Sequence, residues 1–191
     1  MDAFVSPSPK VYDFEVDSTW HQVTFYNPDE KKGRLIGINI SGQPVDGALG
    51  LNKNKSYHVY DFWNDNYCGI IKGTERMEQM LRPGEARMLS VREQLDHPRI
   101  ISTNRHIMQG YLDIINTSWD SETKTLSGRS KLIGNDPYVI TIAAEGLTTE
   151  GSSCESNNTK SQLSTESNGL VRLILTSSKN MDENWTVVFG K

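Results

Sequence analysis

Carboxylates, a basic and polar cluster, and tryptophans are the residues of this chain whose types could do chemistry. Cleaving a glycosidic bond calls for two carboxyl groups flanking it, about 5–5.5 Å apart for retention and about 6.5–9.5 Å for inversion. Asp61 and Asp65, in residues 57–69 (YHVYDFWNDNYCG), come nearest to such a pair. Asp61 sits in a strand pattern beside Trp63 and Asp65 in a run of turn formers, so both are expected to serve structure. Residues 104–110 (NRHIMQG) form the densest polar cluster. A histidine between Arg105 and Gln109 has no activated nucleophile to serve, because Ser102 and Ser118 lack the Gly-x-Ser-x-Gly turn that exposes a serine. Arg105, His106 and Gln109, with Asp61 and Trp63, are therefore expected as structural contacts where two β units meet. No catalytic residue is assigned.

Four tryptophans and seven tyrosines are enough to build an aromatic platform for sugar rings. Indoles of this size more often fill cores, and Trp20, Trp63 and Trp185 fall in apolar strand patterns. Trp119, beside the polar run 120–124, is the candidate carbohydrate contact. His21, His58, His97 and His106 show neither H-x-H nor H-E-x-x-H spacing, and no CxxC is present, so neither a metal nor a cofactor is implied. Asn64-Asp65-Asn66 and Asn135-Asp136 supply calcium-type oxygens but read more simply as turns. Cys68, in an apolar strand, and Cys154, in a polar segment, are expected as free thiols, Cys68 as a small buried hydrophobe. Asn39, Asn116 and Asn184 begin glycosylation sequons, a triplet frequent by chance.

The elements that must position these groups are strands. Alternation predicts them at 11–16, 20–27, 34–40, 57–63, 67–72 and 86–92, with Ile36, Ile38 and Ile40 on one buried face. Asn64-Asp65-Asn66 and Arg82-Pro83-Gly84-Glu85 turn the chain, and residues 47–51 tuck leucines beneath the sheet. Residues 93–98 (EQLDHP) mark a boundary. Beyond it, 99–102, 110–119, 125–133, 137–144, 169–176 and 185–189 alternate again, with turn clusters at the spacing of about 8–12 residues usual in sandwiches. Residues 146–167 are so rich in Ser, Thr, Asn, Glu and Gly that a mobile loop is expected there, with a short strand at 162–166. The fold expected is all-β, with two packed antiparallel β-sandwich-type units at 11–92 and 98–191 behind a leader or linker at 1–10.

Composition narrows the function. The chain has 191 residues, too few for a (β/α)₈ barrel of about 250 residues, and a net charge of −4 spread without a basic stripe. Nucleic acid and anionic membrane surfaces are poor partners for it. No apolar run approaches the about 18 residues of a membrane span, and the start, MDAFVSPSPK, lacks the layout of a signal peptide.

The strand Y-x-V-Y-D-F-W at 57–63, the run L-R-P-G-E-A-R-M-L-S-V-R at 81–92, and the segment P-R-I-I-S-T-N-R-H at 98–106, preceded by Phe25-Tyr26-Asn27, resemble the C-terminal β-sandwich region of bacterial glycoside hydrolases of the α-galactosidase (melibiase-like) type. The resemblance spans roughly residues 20–142. In that family the catalytic aspartates lie on barrel strands, so none carries over. It implies a non-catalytic accessory region that supports a catalytic barrel of the same polypeptide, in a parent protein that is longer at its N-terminus and carries any export signal there. An apolar docking patch and self-association of the isolated chain follow from it. The alternative is a carbohydrate-binding module recognising galactosides or plant polysaccharide. A small hydrolase would instead require two carboxylates converging in a pocket.

Overall fold

Alternating apolar residues settle the class. A computed structural model describes residues 10–190, and these form fifteen antiparallel strands and one 3-10 turn, Pro44–Asp46, with no α-helix among them. The leader expected at 1–10 lies outside the described residues except for Lys10. The chain divides into two compact units, one ending at Gln94 and the other beginning at Leu95.

In the first unit β1 (Val11–Asp17), β2 (Trp20–Tyr26), β7 (Ala86–Glu93), β4 (Ser56–Asp61) and β5 (Asn66–Lys72) make a five-stranded sheet in the order 1-2-7-4-5. β3 (Arg34–Asn39) and β6 (Arg76–Leu81) make a second sheet. Their facing sides share one core. Val23, Phe25, Tyr57, Val59, Leu89 and Val91 come from the larger sheet and Ile36, Ile38, Met77 and Leu81 from the smaller, while Ile40, Leu49 and Leu51 fill the space below. The predicted isoleucine face and the tucked leucines are thus both core.

The second unit stacks two four-stranded sheets. One holds β12 (Thr148–Cys154), β15 (Met181–Gly190), β10 (Thr125–Leu132) and β9 (Ile114–Asp120), and the other β13 (Thr159–Thr165), β14 (Leu170–Ser177), β11 (Tyr138–Ala143) and β8 (Arg99–Thr103). Leu126, Trp185, Val187 and Phe189 face Tyr138, Ile140, Ile142, Leu173 and Leu175. Trp185 lies over its cross-strand partner Gly128, where a Cβ would come 2.4 Å from the indole. Only glycine fits there.

Three expectations change. The polar segment 146–167 is not a loop but two strands, β12 and β13, joined by a turn that crosses between the sheets, each serving as an edge strand of one of them. Its order comes from backbone pairing, β12 along β15 and β13 along β14, and from a buried carboxylate. Glu183, 1 % exposed, accepts the backbone N–H of Glu155 and of Ser156, both at 3.0 Å, and the hydroxyl of Thr159. Composition predicted disorder because the segment buries little apolar area, but these bonds do not depend on apolar area. The strand expected from residue 110 begins only at Ile114. Gln109 (φ +49°) and Gly110 (φ +114°) adopt left-handed backbone that breaks extension before it. The thiols trade environments: both are free, but Cys68 is exposed on β5, while Cys154 is half-buried against the second core.

Candidate functional site

Asp61 ends β4 on the side of the sheet that carries Tyr57 and Val59, and so its carboxylate caps the rim of the first core. It is 2 % exposed. The side-chain amide of Asn64 donates to it at 2.7 Å and the Asn64 backbone N–H at 3.3 Å. Arg87, on β7, places Nε 3.3 Å from the same carboxylate and sends its other nitrogens to Gln79 Oε1 (2.6 Å) and Glu85 Oε1 (2.8 Å). One guanidinium therefore ties three elements together. The Glu85 carboxyl is held below its usual range by the backbone N–H of Arg82 and by Arg87.

This rim fixes the turn that follows. Asp65 takes a left-handed conformation (φ +45°), closes a backbone bond to Phe62 O, and accepts the Tyr60 hydroxyl at 2.6 Å. Phe62 is bound through its N–H to Met88 O. A turn pinned at both ends leaves its middle residues no inward path, and Trp63 points outward, 61 % exposed. Phe62 meets the indole edge to face at 5.1 Å between centroids. The chain's strand-like pattern suggested that Trp63 continued β4 into the core, but the strand stops at Asp61, where its carboxylate begins an Asx-type turn.

Trp119 shows the opposite correction. Expected at the surface, it is half-buried on β9, stacked on His97 at 5.4 Å with planes 3° apart and meeting Phe189 edge to face at 6.0 Å. One face of its ring is thereby stacked. Trp20 is buried under the Arg92 guanidinium, 3.5 Å from the ring centre, and Trp185 is core.

The cluster at 104–110 works inside the second unit. Arg105 donates to the carbonyls of Lys131 (2.8 Å) and Asp136 (3.2 Å), pairs with the Asp136 carboxylate, and lies over the Tyr138 ring. His106 Nδ1 accepts the Met108 N–H, and buried Gln109 accepts the Ser102 hydroxyl at 2.8 Å. Arg105 and His106 thus find these partners within their own unit, as Asp61 does in the other. Nearby, the buried Asp113 carboxylate accepts from Thr103 at 2.9 Å. Burial and that carboxylate push the Tyr138 hydroxyl far above the usual phenol range, so it holds its proton at neutral pH.

A recess of about 320 Å³ in the first unit is lined by Lys10, Leu35, Ile38, Asp46 and Arg76 among others. Arg76 is already engaged by Glu78, Asn39 and the Gly37 carbonyl. Among the described residues Asp46 is the only carboxylate in the lining, so they bring no acid pair together there. Among the described residues no three His, Cys, Asp or Glu side chains are placed to hold a metal ion. No family model matches the chain. No curated protein matches it either.

Proposed function

We propose that this chain is a non-catalytic accessory β-sandwich region of an α-galactosidase-like glycoside hydrolase, which supports a catalytic barrel carried elsewhere in the same polypeptide. The motif resemblance over 57–106 suggests the family. The observation that carries the accessory role is a group of exposed aromatic side chains at the β1–β2 edge of the five-stranded sheet. On β1, Tyr12 (50 % exposed) and Phe14 (45 %) lie on the side opposite core residue Val11, and Tyr26 of β2 is exposed beside them. Aromatic side chains of this area on an edge strand suit a docking partner better than water. The buried acids favour the same reading, because Asp61, Asp113 and Glu183 each accept hydrogen bonds that hold the scaffold.

Two measurements on the purified chain test this. Sedimentation velocity is expected to show concentration-dependent association that weakens in the double variant Tyr12→Glu, Phe14→Glu. Incubation with 4-nitrophenyl α-galactoside is expected to release no nitrophenol. Release in proportion to chain concentration would overturn the non-catalytic assignment. A second reading, a carbohydrate-binding module for galactosides or plant polysaccharide, is favoured by the exposed Trp63 indole and is compatible with an accessory role.

A further inference from the structure

We infer that the turn formed by Phe62, Trp63, Asn64 and Asp65 is a sugar-contacting platform, with the Trp63 indole stacking on the C–H face of a pyranose ring and the carboxamide of Asn64 addressing a hydroxyl. The inference rests on the carbohydrate-binding reading and assigns it a site.

The turn is built more firmly than folding alone requires. The Asp61 carboxylate, buried at the core rim, holds Asn64 through two bonds, and Tyr60 holds Asp65 through a third. A loop so constrained loses little freedom when a ligand arrives, which favours binding by an already ordered surface. What it displays is a large apolar ring that contributes nothing to either core cluster. Phe62 packs against the indole in a T-shaped pair, which helps to hold its orientation while 61 % of the residue stays exposed.

The surroundings select the ligand class. Asn64, Asp65 and Asn66, which follow the ring in sequence, are exposed and polar, and Glu85 and Gln79 share Arg87 with the turn's anchor Asp61. A protein-docking hot spot is normally ringed by further apolar contacts that exclude water. One exposed indole, paired with Phe62 and followed by three exposed polar residues, instead matches a sugar, which has one apolar face and a rim of hydroxyls. Asn64 gives one N–H of its amide to Asp61, which fixes the carboxamide and leaves its carbonyl oxygen, an acceptor for a hydroxyl proton, and its second N–H for a ligand.

The test uses the whole chain, titrated with methyl α-galactoside and with soluble galactomannan while tryptophan fluorescence is followed. Saturable change is expected with at least one of them, weakened about tenfold or more in Trp63→Ala and partly retained in Trp63→Tyr, which keeps a stacking ring. Circular dichroism and melting of the Ala variant are expected to match the parent, because the ring is exposed. Binding that survives Trp63→Ala unchanged would overturn the site while leaving carbohydrate recognition standing. Absence of binding by the parent chain to both sugars would overturn site and recognition together. Loss of self-association in Trp63→Ala, with sugar binding unaffected, would mark the turn as a protein contact and also overturn the proposal.

Discussion

Two turns of this molecule are held by the same device and carry different cargo. In the first unit the buried Asp61 carboxylate anchors the turn after β4 from the strand that leads into it. In the second, the buried Glu183 carboxylate reaches from β15 to anchor the turn between β12 and β13. A carboxylate accepting several hydrogen bonds is a strong fastening because each bond is charge-assisted. The Glu183 turn displays only polar side chains, Glu155, Ser156, Asn157 and Asn158. The Asp61 turn displays a tryptophan. Since anchoring works without an exposed aromatic ring, the indole of Trp63 is not explained by the need to close a turn.

Breaking the anchors is the sharpest way to probe this difference. Glu183→Ala strands two backbone N–H groups and a threonine hydroxyl and is expected to cost the second unit about 3 kcal/mol or more. Urea unfolding measures that cost, and amide exchange should show β12 and β13 losing protection first. An unchanged midpoint would mean that backbone pairing to β15 and β14 alone orders the two strands. Asp61→Ala is expected to cost about 2 kcal/mol, less because Arg87 keeps Gln79 and Glu85.

Acid should loosen the first anchor's surroundings. The Glu85 pKa is depressed in the folded state, so its contribution is fully present above the ordinary carboxylate value of 4.5 and fades as pH falls through the depressed one. The urea midpoint is therefore expected to drop as pH is lowered from about 5 towards 3, and Glu85→Gln should flatten part of that slope. A slope identical in the variant would remove Glu85 from the network. The smallest effect concerns thiol chemistry. Exposed Cys68 should react with a disulfide reagent in the native chain. Cys154, half-buried and pushed up to about 11 by burial and by the Glu183 carboxylate, should react slowly until the second unit unfolds. Equal rates would contradict the packing around Cys154.

Strands and cores were legible because period-two alternation reports burial directly, as Ile36, Ile38 and Ile40 illustrate. The strand pair β12 and β13 was not, because its order rests on pairing with β15 and β14 and on Glu183, residues far along the chain whose partners no local pattern reveals. The two tryptophans were misplaced for related reasons. Trp63 follows an alternating run, but the Asx-type turn at Asp61 ends the strand two residues earlier. Asp61 followed by Asn64, Asp65 and Asn66 was a signal available for that turn. Trp119 adjoins a polar turn, yet it is covered by His97 and Phe189, partners distant in sequence. Side-chain periodicity tells which face of a strand is apolar, but not where the strand ends or what lies upon it.

The most direct test is a nitrogen–proton spectrum of the four indole N–H groups during titration with soluble galactomannan, with the Trp63 signal assigned from Trp63→Phe. A saturable shift largest at Trp63, with the Trp20 and Trp185 signals unmoved, is the expected result. A shift centred on Trp119, or four unmoved signals at saturating sugar, would contradict the assignment of Trp63 as the displayed contact.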